Sequence, residues 1–438
     1  MFTNRALGCV LVLTVIASGA ASAQTLDFSW AARTGVTYSD NVTRSAGSGV
    51  DSVAAVAGLQ VDGLRQKGRL RFDVTGQLDY YHYLQNSIDG EVIGSARGMT
   101  SYDIIPERLD WALEGSFDQQ RNNLLLPAAP GNREEVLVLS TGPTWRARFG
   151  DAFAAVIRAR YSDASYSGQS LDNNTASVNV TLERQLSARS AIGLGGSYSD
   201  VSYDTNSPFA IAGTKRQEYF ATGRLASART DVNVELGYAN LDSGFAKTSD
   251  PLLRARVTRR ISPFLSARLE ASQQYPTTEN ALNSLAPVGI TGDRAALSST
   301  PRKQQSGSLG LTYVRPRTTI DLAFVTNREE TVFGTPGTRK TNGVRGSLSR
   351  SLTPRSRATV SAQYLRDDYP LAFADSKETI LGAEYSLAFG AKLSVDGQVQ
   401  VRNRRADLVA GSGDEFTAGI FLRYGRVNAR SAVNLPGR

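Results

Sequence analysis

"RLRFDVTGQLDYYHY", residues Arg69 to Tyr83, alternates two chemistries with a period of two. Leu70, Phe72, Val74, Leu78 and Tyr80 share one face, and Arg69, Arg71, Asp73, Thr75, Gln77 and Asp79 share the other. The stretch reads as a β-strand that is apolar on one side and charged on the other. A soluble sheet can hold one such strand, so its meaning depends on whether the pattern recurs.

It recurs along the chain. "WALEGSF" sets Trp111, Leu113 and Phe117 against Glu114 and Ser116, and "FAAVIRARY" sets Phe153, Ala155, Ile157 and Tyr161 against Arg158 and Arg160. "VNVELGY" (Val232 to Tyr238), "LSARLEASQQY" (Leu265 to Tyr275), "TIDLAF" (Thr319 to Phe324) and "ATVSAQY" (Ala358 to Tyr364) repeat it. The composition fits: 438 residues with 40 Gly, 2 Met and 41% hydrophobic residues, and, past the N-terminus, no apolar run near the about 18 residues of a membrane helix. Membrane strands escape that test, because they need only about 9 to 11 residues with every second one apolar. No composition shift or linker divides the chain into domains.

Aromatic residues fall on the apolar face near the C-terminal ends of these segments: Tyr38, Tyr80, Phe117, Tyr161, Tyr198, Tyr238, Tyr275, Phe324 and Tyr364. They recur roughly every 40 residues, one per strand pair, as an interfacial aromatic girdle requires. The competing reading is a set of core aromatics in a large β-sandwich, which has less reason to place them at one strand end. Connections alternate in the same rhythm. Tight ones are "RQKG" (65–68), "PER" (106–108), "FGD" (149–151), "SAR" (187–189 and 227–229), "SPF" (262–264), "RPR" (315–317), "TPR" (353–355) and "FG" (389–390). Long polar ones include "DNVTRSAGSGVD", "RNNLLLPAAPGNRE", Pro276 to Gln305 and "RRADLVAGSGDE". The long loops are expected to stand exposed at the cell surface, with Ala129 and Ser284 accessible there.

Short turns on one rim and long loops on the other describe an all-β fold: a single closed antiparallel transmembrane barrel of the bacterial outer membrane, turns toward the periplasm. Counting gives about twenty strands, ending with Phe416 to Tyr424, or eighteen if Val92–Ile104 and Ser306–Tyr313 are not strands. Closure leaves no backbone group unpaired in lipid.

The charged faces then line a lumen. The candidate lumen-lining arginines are Arg71, Arg146, Arg148, Arg158, Arg160, Arg224, Arg254, Arg256, Arg268 and Arg402. Acidic neighbours (Asp110, Glu114, Glu183, Glu235, Glu270 and Asp396) make mutual pairing the simpler role for any single arginine. The net charge of +8 nevertheless favours anions in the lumen.

The N-terminus carries an export signal: Arg5, the apolar run Ala6 to Ile16, and Ala21-Ser22-Ala23 before Gln24. Residues 1–23 are thus expected to be a cleaved signal peptide that takes Cys9, the sole cysteine, with it. An uncleaved anchor is disfavoured by the shortness of the run. The barrel is expected over 24–424, with a periplasmic tail over 425–438. Export also argues against nucleic acid as the partner of this basic chain. His82 is the only histidine, which excludes multi-histidine metal sites and leaves it an interfacial residue beside the aromatic band. No glycine motif cradles a phosphate. No catalytic, cofactor-binding or metal residue is assigned, and the chain reads as a non-enzyme.

"YSDNV" (Tyr38 to Val42) and "LSTGPTWRARFG" (Leu139 to Gly150) resemble segments of the β-barrel porin 2 family of outer-membrane proteins, which are often encoded with exopolysaccharide export systems. The resemblance covers the mature chain in layout and implies a barrel that takes part in export of a surface polysaccharide. Such proteins commonly end on an aromatic residue read by the assembly machinery, whereas this chain continues from Tyr424 through "GRVNARSAVNLPGR". The partners implied are outer-membrane lipid and lipopolysaccharide, the barrel assembly machinery, and a polysaccharide polymer with periplasmic export components. A general or anion-preferring diffusion porin shares the same barrel and stays open as an alternative; an outer-membrane hydrolase is disfavoured by the single histidine.

Overall fold

Alternation with a period of two produces twenty strands in this computed structural model. In chain order they are β1 (Asp27–Ser39), β2 (Ser52–Arg65), β3 (Leu70–Tyr83), β4 (Glu91–Ile105), β5 (Leu109–Arg121), β6 (Arg133–Phe149), β7 (Phe153–Tyr166), β8 (Asn173–Ser187), β9 (Ser190–Tyr203) and β10 (Thr214–Ala226). They continue with β11 (Thr230–Asp242), β12 (Lys247–Arg260), β13 (Leu265–Gln274), β14 (Arg302–Arg315), β15 (Thr318–Thr331), β16 (Thr338–Thr353), β17 (Ser356–Asp368), β18 (Ser376–Ala388), β19 (Leu393–Ala406) and β20 (Gly413–Arg426). The structure describes residues 27–47, 49–84, 88–123, 125–168, 172–204, 213–244, 247–276, 302–332, 337–369, 375–408 and 411–426. The signal peptide 1–23 with Cys9, Ser284, and the tail beyond Arg426 lie outside them. β20 runs two residues past the expected barrel end at Tyr424. The two weak segments are both strands, β4 and β14, so the count is twenty and not eighteen.

Each strand pairs antiparallel with its chain neighbours, and the sheet closes where β1 meets β20, from Trp30↔Arg426 to Ser39↔Thr417. The inward and outward faces meet correctly across that seam. Outside, the Trp30 and Tyr424 rings lie 6.2 Å apart; inside, the Arg33 guanidinium lies 4.8 Å over the Phe421 ring. A one-residue slip would reverse the two faces. Arg33 also reaches Asp79 of β3 at 2.5 Å, and a Cβ at Gly58 would displace that carboxylate from its place.

Nine connections of two to four residues gather on one rim, where the described part of β1 begins and β20 ends. Gly150 (φ 62°) makes one of these turns in the left-handed region that glycine enters without strain. Outward positions keep large apolar side chains exposed, among them Leu194 at 69%, Ile420 at 64% and Tyr238 at 60%. An apolar belt this extensive has only lipid to meet. The protein is a closed antiparallel β-barrel of the bacterial outer membrane.

The aromatic positions divide. Tyr38, Tyr161, Tyr198, Tyr238, Phe324 and Tyr364 are exposed on the outer face, and Tyr80 is half-buried there. Tyr275 departs from the girdle. It follows the last residue of β13, turns inward, donates its hydroxyl to Asp250 and packs with Phe220, Leu241 and Leu252. Phe117 is also buried, because the top of β5 is covered on both faces from Ser116 to Arg121. A second outward aromatic set at the turn rim, including Phe28, Trp30, Trp111, Trp145 and Tyr424, was not anticipated.

Candidate functional site

Strand register directs all ten candidate arginines inward, and seven of them meet carboxylates. Arg71 lies 2.6 Å from Asp103 and 3.8 Å from Asp110, and Arg146 also pairs with Asp110. Arg160 is buried, 3.2 Å from Glu114, with its Nη1 donating to the carbonyls of Gly142 and Pro143. Arg254 bridges Glu218 (2.8 Å) and Glu235 (2.9 Å); Arg256 and Arg268 share Glu270 at 2.7 Å each; Arg402 lies 3.2 Å from Glu378. Arg148, Arg158 and Arg224 are exposed, with no ion pair among the described residues. His82 stands exposed on the outer face, away from the lumen carboxylates.

The unpaired arginines and the buried ones occupy different heights. Arg148, Arg158 and Arg224 lie in the turn-side half, where Asp73 and Thr75 are exposed as well. Toward the loop rim the lumen fills. Val136, Val138, Ala164 and Tyr166 form one inward apolar cluster there, and Tyr275 with its neighbours forms another.

Near the loop rim the β5–β6 connection also folds inward, which the sequence expectation of an exposed loop missed. Pro127, Ala128 and Ala129 are buried. Four arginines hold its carbonyls. Ala128 O accepts from Arg44 and from Arg133 Nη2 (2.7 Å), Leu126 O from Arg121 Nη1 (3.4 Å) and Leu125 O from Arg404 Nη2 (3.5 Å). The base is clamped by Asn132, whose Nδ2 donates to Asn123 O (2.9 Å) and Pro127 O (2.8 Å), while Asn123 N donates to Asn132 Oδ1 (2.8 Å). A loop cannot bury bare carbonyls; here guanidinium groups satisfy them.

A charged network backs the loop. Arg121 lies 3.8 Å from Asp367, which also accepts from Arg339 Nη2 (2.8 Å) and Thr341 Oγ1 (2.6 Å). Arg402 and Arg404 both face Glu378, at 3.2 and 3.9 Å. The Arg339 guanidinium covers the Tyr369 ring at 5.4 Å, and burial pushes the Tyr369 hydroxyl pKa up. Sequence reasoning missed Arg44, Arg121, Arg133, Arg339 and Arg404. Period two does put Arg404 on the face of Arg402, a signal that was available. The arrangement presents exposed charged and polar side chains to a hydrophilic solute on the turn side, and apolar clusters and an inward loop near the loop rim.

No protein-family model matches the sequence, and no curated protein matches it. Solved structures similar in shape include a variant of the ferric enterobactin receptor PfeA from Pseudomonas aeruginosa, at 10% identity over 90% of this chain and 80% of that one, TM-score 0.46. The siderophore receptor PirA from Acinetobacter baumannii is similar at 9% identity over 92% and 81%, TM-score 0.47. The FrpB iron transporter from Neisseria meningitidis follows at 9% over 90% and 81%, TM-score 0.42. At these identities and scores they bear on neither ligand nor mechanism, and the barrel rests on its own strand pairing.

Proposed function

We propose that the barrel is an export passage for an anionic surface polysaccharide, entered from the periplasm and shut at the outer end by the β5–β6 loop. The observation that supports it is the polarity of the lumen: Arg148, Arg158 and Arg224 lie exposed in the turn-side half with no ion pair among the described residues, while apolar clusters and the inward β5–β6 loop occupy part of the loop-side half. An acidic chain arriving from the periplasm meets an attractive vestibule first, and many weak basic contacts guide it without trapping it. The resemblance to the β-barrel porin 2 family points the same way.

An anion-preferring diffusion porin is the second reading, favoured by the inward β5–β6 loop, which narrows the bore as a size filter would. Deleting the gene separates the two. Loss of surface polysaccharide with normal uptake of small nutrients supports export; unchanged polysaccharide with slowed uptake of small anions removes export and leaves the porin.

A further inference from the structure

The lumen wall is dented over β8 and β9. From Thr175 to Thr181 on β8 and from Gly193 to Ser199 on β9, every inward residue is Gly, Ser, Thr or Asn. Large side chains resume on either side, with Arg158 on β7 and Glu218, Glu235 and Arg254 on β10 to β12. The result is a cavity of about 570 Å³ whose floor is made of hydroxyl and amide groups. Its floor runs about 20 Å along the strand, six residues at about 3.3 Å each.

The two banks differ electrically. Glu218 and Glu235 are balanced by Arg254, at 2.8 and 2.9 Å, and by Arg216, 3.6 Å from Glu218, so that bank presents a mutually paired cluster. Arg158 has no ion pair among the described residues and is exposed to the cavity. The floor's carboxylate, Glu183, lies four residues below Asn179, at the turn-side end. A hydrogen-bonding floor that carries no charge between Glu183 and the loop rim, with an exposed guanidinium on one bank, suits a ligand rich in hydroxyls that carries spaced acid groups. Its length suits a chain better than a single small solute.

We infer that this groove binds a segment of an anionic polysaccharide, with the floor taking its hydroxyls and Arg158 an acid group. The assignment rests on the export reading and names where its polymer touches the wall. Calorimetry on the purified full-length barrel tests it with three probes: galacturonate monomer, galacturonate hexamer and the neutral galactose hexamer. The acidic hexamer binds wild type more tightly than the monomer. Arg158→Gln raises its Kd about tenfold, the value of one charge-assisted hydrogen bond, and leaves the neutral hexamer unchanged. Ser177→Leu, which fills the groove without changing charge, weakens both hexamers. Equal binding of monomer and hexamer, or indifference to both substitutions, overturns the groove as the site, even where a deletion strain has lost its polysaccharide. A deletion strain that keeps its polysaccharide instead removes the export reading beneath it.

Discussion

Arg121 on β5 lies 3.8 Å from Asp367 on β17, although eight steps around the barrel separate those strands by the shorter path. Both side chains are nearly fully buried. A contact of that kind runs through the interior at the rim, and it ties the base of the inward loop to the opposite wall. Arg404 of β19 grips the same loop from that wall, through Leu125 O. The hold on the loop is therefore a latch between distant strands.

Releasing the latch should expose the loop. A cysteine replacing Ala129, which is 6% exposed, is expected to resist an impermeant thiol reagent on intact cells. Adding Arg121→Ala should make it reactive, and a cysteine replacing Lys67 at the turn rim should stay unreactive in both backgrounds. Equal labelling at position 129 with and without Arg121 would show that the loop stands open regardless.

Asp367 should matter more for stability than Arg121. Its removal leaves Arg339 buried beside Tyr369 with only Glu329, at 4.0 Å, to balance it among the described residues. Breaking a buried pair from one side costs about 3 to 5 kcal/mol. Asp367→Ala should therefore lower the temperature at which the barrel loses its compact electrophoretic mobility. A shift no larger than that of a surface substitution would mean that water already solvates this network.

The apolar belt makes a depth-dependent prediction. Ile420 is 64% exposed at the middle of β20. Ile420→Arg should cost about 2 to 4 kcal/mol, as a cation at the bilayer midplane does. Arg158→Ala, on an exposed lumen position, should fall within about 0.5 kcal/mol of wild type. Urea titration in lipid vesicles measures both, and equal tolerance of the two would contradict the assignment of faces.

Which parts were legible in the sequence follows from the range of the interactions. The alternation of Leu70, Phe72 and Val74 with Arg71 and Asp73 is local, and so are turns such as "RQKG"; together they give strands, rims and closure. Partners across the lumen are not local. Arg404 reaches Leu125 over 279 positions and Arg44 reaches Ala128 over 84, and no period in the sequence encodes either contact. Tyr275 misled for a different reason. Its parity matches the girdle, but β13 ends one residue earlier, so alternation no longer fixed its direction. Period two also assigns a face without saying whether an arginine is free. Arg158 and Arg160 share a strand and a face, yet only Arg160 has Glu114 within reach.

That distinction gives the last prediction, which concerns ion selectivity. Neutralising Arg148, Arg158 and Arg224 together to Gln removes three exposed charges that form no ion pair among the described residues, so the vestibule loses three positive charges. In planar bilayers the barrel should move from anion preference toward neutrality, most clearly at low salt, where screening is weak. The double change Arg254→Gln with Glu218→Gln removes one charge of each sign from the cluster of Arg216, Glu218, Glu235 and Arg254 and leaves the net charge unaltered. Selectivity should then stay near wild type. Arg254→Gln alone should cost stability instead, because Glu218, 2% exposed, would keep only Arg216, at 3.6 Å, as a counter-charge among the described residues. Reversal potentials across a salt gradient read the first two variants, and thermal melting reads the third. If the triple variant and the charge-neutral double variant shift the reversal potential equally, the free arginines are not the source of the preference.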